Sequence, residues 1–437
     1  MIGLRRAGAA AALAASALLG SLAARAVPAA SAPPFRYVPH AWGARPTVAE
    51  MSSLGRRIFF DAGLSASGRQ ACASCHSPAN AFGPPNDLAV QPGGAEMTRS
   101  GTRSVPTLRY VQTSIPFTQH YIDDDDAGGQ DAGPTGGLTW DGRADSPSAQ
   151  AALPLTSPNE MANASPRELA ARMRASSYAR EFRDAFSAPG RDVFDDPERV
   201  MGWAAAALEV YQESAEDFYP FTSKYDAFLR RQTTLTESEA RGLALFNDPR
   251  KGNCTSCHPS AIRSSGAFPV FTDFGYVALG APRNAAIPAN RDPAYFDLGL
   301  CGPERIDLRD SHPDDCGRFK TPTLRNVATR KVFFHNGVFH SLREVLAFYV
   351  RRDLTPERWY PRRPDGTVRK YDDLPATYRD NVTREAPFTP SPDGRPRLDD
   401  AEIDDVVAFL ETLTDGYASG GRTHRSSQVD ATSISPR

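Results

Sequence analysis

The chain has 437 residues, enough for two or three domains, and 40% of them are hydrophobic, as in an ordinary globular protein. Lys and Arg number 50 against 52 Asp and Glu, so the net charge is −2 and no basic excess points to nucleic acid. With 33 Gly and 37 Pro, long loops are expected between the regular elements.

In chain order, Arg5 and Arg6 precede the apolar, Ala-rich stretch "AGAAAALAASALLGSLAA", and Ala24-Arg25-Ala26 offers an A-x-A cleavage site. Residues 1–26 therefore read as a signal peptide, removed to leave a soluble, exported, periplasmic protein with no further membrane span. Thr47-x-x-Glu50 is a capping box that opens a helix running into "GRRIFFD" (55–61), and "CASCH" (72–76) follows. Next come "PTLR" (106–109), an acidic, polar insertion (123–137) expected to be a solvated loop, and "WDGRADSPSAQAALP" (140–154). Helical patterns cover "SPRELAARMRASSYAREFRDAF" (165–186) and "PERVMGWAAAALEVYQ" (197–212).

The plan then repeats. Thr236-x-x-Glu239 is a second capping box, followed by "GLALFND" (242–248), "CTSCH" (254–258), "PTLR" (322–325) and "HNGVFHSLREVLAFY" (335–349). A last helix is expected in "LDDAEIDDVVAFLETLT", and the Ser/Gly/Arg-rich tail (418–437) reads as disordered. The repeat predicts two related domains, 40–230 and 236–415, in an all-α fold with long loops, since β-branched alternation is scarce. Cys301 and Cys316 are left over from the two pentads; in an oxidising compartment they are expected to pair as a disulfide.

C-x-x-C-H is the signature of c-type haem attachment. Zinc or a redox dithiol uses cysteine pairs too, but leaves the adjacent histidines unexplained. Two haems c are therefore expected, on Cys72 and Cys75 with His76 as proximal ligand, and on Cys254 and Cys257 with His258. An electron-transfer haem takes a second axial ligand, usually Met or His. The six methionines, 1, 51, 97, 161, 173 and 201, all precede the second pentad. His312, His335, His340 and Tyr349 remain in that half. Aligning Gly142 with Gly337 sets Ser146 against Ser341 and Pro154 against Tyr349.

Both pentads, "PTLR", "WDGRA", "PNEM", "FKTPTLRNV", "FHNG" and "AEIDDVVAFL" resemble the bacterial dihaem cytochrome c peroxidase and MauG family over most of 47–415. The resemblance implies two cytochrome c-like domains, the first peroxide-reactive and the second for electron transfer. In the peroxidases the helix after the "FHNG"-like turn ends on a methionine ligand. Here that position is Tyr349, as in the MauG branch, and a hard phenolate favours higher oxidation states of iron. By the same resemblance Gln150, Pro154 and Glu160 line the first haem's distal pocket. Glu160 is then the acid/base, Gln150 orients peroxide, and Trp140 relays electrons between the haems.

Resting peroxidases take a histidine from the loop after the first pentad. Residues 77–119 contain none, and His120 is the next one along. Proline cannot ligate, so the first haem is expected to stay open. Family members also hold Ca²⁺ between the domains through an Asn just before the first "PT" and two carbonyls near the second. Here the Asn position is Ser104, and Arg330 and Lys331 lie near the second, so charge in place of the ion puts calcium in doubt. The expected function is a MauG-like oxidoreductase that reacts with H₂O₂ and oxidises a protein or small donor through high-valent haem. The alternatives are a peroxidase that removes H₂O₂, fed by a small c-type cytochrome or cupredoxin, and a non-catalytic electron-transfer cytochrome.

Overall fold

Thr47 caps the first helix as its spacing predicts: its hydroxyl accepts from Glu50 N at 3.2 Å and Glu50 Oε2 accepts from Thr47 N at 2.7 Å. Thr236 and Glu239 repeat the box, at 3.3 and 2.7 Å. The computed structural model describes residues 46–122 and 131–418. The expected signal peptide (1–26), most of the acidic insertion and the tail from residue 419 lie outside the described residues. Within them run α1 (Val48–Phe59), α2 (Cys72–Cys75), α3 (Pro147–Thr156), α4 (Pro166–Arg174), α5 (Ala179–Phe186), α6 (Pro197–Gln212), α7 (Ala215–Phe218), α8 (Lys224–Leu229), α9 (Glu237–Asn247), α10 (Leu342–Arg351) and α11 (Asp400–Glu411). Strands are limited to two short antiparallel pairs, β1 (Pro92–Gly93) with β2 (Arg99–Ser100) and β3 (Tyr276–Val277) with β4 (Phe319–Lys320). No described helix is long and apolar enough to cross a membrane.

The helical pattern over 165–186 is broken into α4 and α5. The Ser176 hydroxyl donates to Met173 O at 2.7 Å and so competes with the helix's own ladder.

Two main hydrophobic clusters form, one drawn from residues 54–218 and the other from 225–413. Each is organised by one close helix crossing. α1 packs on α6, and a Cβ on Gly55 would lie 1.9 Å from Ala207 O. α9 packs on α11, and a Cβ on Gly242 would lie 2.0 Å from Asp405 O. Gly55 and Gly242 open the two repeated segments. Glycine inside a helix costs about 0.5–1 kcal/mol relative to alanine, and here it lets two backbones touch. The crossing fixes the helix whose end leads into each C-x-x-C-H.

Candidate active site

A backbone carbonyl holds the histidine of each C-x-x-C-H. His76 Nδ1 lies 3.1 Å from Phe82 O, and His258 Nδ1 lies 2.8 Å from Phe271 O. A carbonyl only accepts, so Nδ1 carries the proton and Nε2 keeps its lone pair for a metal. Burial pushes both imidazoles down to about 4, which keeps them neutral.

The two "PTLR" copies brace these carbonyls. Thr107 Oγ1 donates to Ala81 O and Thr323 Oγ1 to Val270 O, both at 2.6 Å. Leu108 N and Leu324 N donate to Phe82 O and Phe271 O, both at 3.3 Å. Phe82 and Phe271 are both held in the left-handed region at φ 54°, which side chains of this size rarely adopt. Sequence reasoning noted the duplicated motif but not this role. Six residues separate His76 from Phe82 and 13 separate His258 from Phe271, so spacing carried no signal; the duplication of "PTLR" was the clue.

Cys72, Cys75, Cys254 and Cys257 form no disulfide, while Cys301 and Cys316 are bridged. Each half thus presents two thiols and one imidazole with a free Nε2, a donor set that fits a covalently attached haem c.

Ahead of α3, Gly142 turns the chain at φ 66° and Ser146 caps the helix, accepting from Ala149 N at 3.1 Å. α3 carries Gln150 and Pro154. Gln150 is half-buried, and its side chain makes no hydrogen bond among the described residues. Glu160 follows in a turn fixed by three backbone bonds: Glu160 N to Ser157 O, Met161 N to Pro154 O, and Gly94 N to Glu160 O, at 3.1, 3.1 and 2.8 Å. A Cβ on Gly93 would fall 2.1 Å from Asn159 O, so only glycine lets β1 press on this turn. Burial raises the Glu160 carboxyl above its ordinary value, against a Ser157 hydrogen bond and the Arg143 charge. Burial is also the main force raising the Cys72 and Cys75 thiols, and the Glu160 charge adds to both, which places this carboxyl beside the first pair.

At the second pair, Tyr349 occupies the place in α10 that Pro154 has in α3, each behind a left-handed glycine and a serine cap. Its ring stacks on Phe334 with centroids 5.7 Å apart and packs 4.9 Å from Phe388. Burial raises the phenol, and the charges of Cys254 and Cys257 raise it further, so the hydroxyl lies near both thiols. That hydroxyl makes no hydrogen bond among the described residues. The histidines are engaged elsewhere. His335 is buried, stacked 3.4 Å from the Phe319 ring centroid and 4.0 Å from Asp373. His340 is exposed, 3.2 Å from Lys331 O, and His312 is half-buried, 2.9 Å from Ser311 Oγ. His120 pairs at 2.6 Å with Asp131 on the surface, its side chain 76% exposed.

Trp140 joins the halves. Its indole donates to Ser104 O at 2.7 Å, Lys320 N donates to Trp140 O at 2.9 Å, and Ser104 N donates to His335 O at 2.6 Å. Beside it, Arg103 bonds Asp141 at 2.7 Å and grips Asp297 through two bonds of 2.6 and 2.7 Å. Burial works to raise Asp141, but Arg103 and Arg143 hold it well below the usual carboxylate range. The disulfide-closed loop reaches the same place: Arg305 donates to Asp141 O and Gly142 O at 3.1 and 3.2 Å.

Residues 49–234 match the family model described as di-haem cytochrome c peroxidase. The methylamine utilization protein MauG of Paracoccus denitrificans is 36% identical over 379 residues, covering 85% of this chain and 90% of that protein. The cytochrome c551 peroxidase of Nitrosomonas europaea is 26% identical over 313 residues, 71% of this chain and 76% of that one. Among solved structures, the diheme peroxidase BthA from Burkholderia thailandensis is 39% identical with a TM-score of 0.73, covering 85% of this chain and 89% of its own.

Proposed function

The chain belongs to the di-haem cytochrome c peroxidase family that includes MauG, and from that premise we propose a MauG-like role: an exported, periplasmic enzyme that uses H₂O₂ to oxidise a protein or small redox donor. Peroxidase-type oxidoreductase chemistry with two haems is common to the family. The finer reading rests on one observation, the contrast between Pro154 and Tyr349 at matching places of α3 and α10.

When bound, the haems supply iron that peroxide oxidises and that stores the oxidising equivalents. Cys72, Cys75 and His76 would hold the first, and Cys254, Cys257, His258 and Tyr349 the second. Pro154 offers no donor atom, which leaves the distal side of the first site open to peroxide. Glu160 takes a proton from one peroxide oxygen and returns it to the other, and Gln150 orients the molecule. Tyr349 gives the second site a hard anionic oxygen, suited to storing oxidising equivalents rather than a reducing electron. Trp140 carries electrons between the two sites, and the halves 40–230 and 236–415 act as the peroxide-reactive and electron-transfer domains.

Stopped-flow mixing of the fully ferric protein with stoichiometric H₂O₂ tests this. The reading predicts an immediate change in the haem spectrum without prior reduction, because no histidine of residues 77–119 exists to close the first site. A protein that reacts only after half-reduction is a conventional peroxidase instead, and one inert in both states is an electron carrier.

A further inference from the structure

We propose that the Arg330 guanidinium is a built-in cation that occupies the junction where relatives of this fold hold a divalent metal, and that it positions Ser104, and through it Trp140, without any metal. Arg330 Nη2 donates to Ser104 Oγ at 3.3 Å and to Val105 O at 3.1 Å, and Nε donates to Val332 O at 3.1 Å. One planar fork thus ties the strand of chain before the first "PTLR" to the segment leading into the "FHNG" turn. These oxygens are the kind that a hard cation would take, a hydroxyl and main-chain carbonyls. Here they are already accepting from nitrogen.

The residues do not fit a metal as well. Among the described residues no carboxylate lies within ion-pair distance of Arg330, and no cluster of three or more His, Cys, Asp or Glu could hold an ion. A dication at this point would meet the guanidinium's charge with no anion to offset it. Desolvation without an acidic partner pushes Arg330 down to about 10, still fully charged at neutral pH.

The position matters because three parts of the site meet there. Ser104 is 1% exposed, and all its polar atoms are used: Oγ by Arg330, O by the Trp140 indole, and N by His335 O. On the other side, a Cβ on Gly83 would lie 3.5 Å from Arg330 Nη1, beside the Phe82 carbonyl that orients His76. Arg330 is a positioning residue: it touches the parts that set the His76 ring and the Trp140 indole.

The test uses the haem-loaded protein. Elemental analysis is expected to find no stoichiometric calcium. Prolonged EGTA treatment is expected to leave the thermal midpoint and the EPR spectra of both haems unchanged. Arg330→Ala is expected to shift the EPR signal of the His76 haem and lower the thermal midpoint, and Arg330→Lys to restore part of both. Bound calcium at one per chain, or EPR spectra altered by EGTA, would overturn the proposal, as would an Arg330→Ala protein with wild-type spectra and midpoint. The chelator arm decides the question even if Arg330→Ala does not fold. It is also independent of which residue ligates the second haem.

Discussion

Glu160 is a half-buried carboxyl in a turn that three backbone bonds and one obligatory glycine, Gly93, hold rigid. Taken as sequence it is an unremarkable loop glutamate in "SPNEM"; the fold gives it meaning by bringing its charge close enough to act on Cys72 and Cys75. Glu160→Gln keeps the shape and removes the proposed base, so the second-order rate with H₂O₂ is expected to fall by about 10²-fold or more. The pH profile follows from the raised carboxyl. The base is active only when ionised, so the rate drops as pH falls through the raised value, above the ordinary glutamate value of about 4.3. The Glu160→Gln protein loses that limb. A variant as fast as wild type, with the limb intact, assigns the proton transfer to another group.

At the scale of elements, the local signals were legible in the sequence. Both capping boxes, both pentads and the last helix were readable because capping, covalent attachment and amphipathic period are encoded within a few residues. The equivalence of Pro154 and Tyr349 was legible because the segments are repeats with matching glycines and serine caps. What could not be read was set by packing between distant segments. Arg103 and Asp297 lie 194 residues apart, and the carbonyls of Phe82 and Phe271 belong to loops of different length. The repeated glycines were visible as letters, but their reason, two helix crossings at backbone contact, was not. Gly242→Ala is therefore expected to destabilise the protein by about 1–3 kcal/mol, as overpacking does, although alanine is the better helix former. Denaturant unfolding measures it, and a stability equal to or above wild type shows that α9 and α11 separate without cost.

At the scale of the molecule, duplication and divergence underlie the proposed chemistry. Each half builds the same proximal arrangement of two thiols, a neutral imidazole and a braced carbonyl. Among the places where the halves diverge is one matching helix position, where α3 presents Pro154, a side chain with no donor, and α10 presents the Tyr349 phenol. Between them Trp140 is hydrogen-bonded to Ser104, and the Arg103 bridge to Asp141 and Asp297 neutralises buried charge at the same junction. On the proposed reading, a site left open by Pro154 would react with peroxide and the Tyr349 site would store the oxidising equivalents. EPR of the ferric, haem-loaded protein compared with Tyr349→Phe tests this asymmetry directly. The wild type is expected to show one high-spin haem, at His76, and one low-spin haem, at His258. Tyr349→Phe, which removes only the phenolic oxygen, is expected to turn the low-spin signal high-spin. A low-spin signal that survives in Tyr349→Phe would contradict the account, leaving Tyr349 as a packing residue and the second iron held by another ligand.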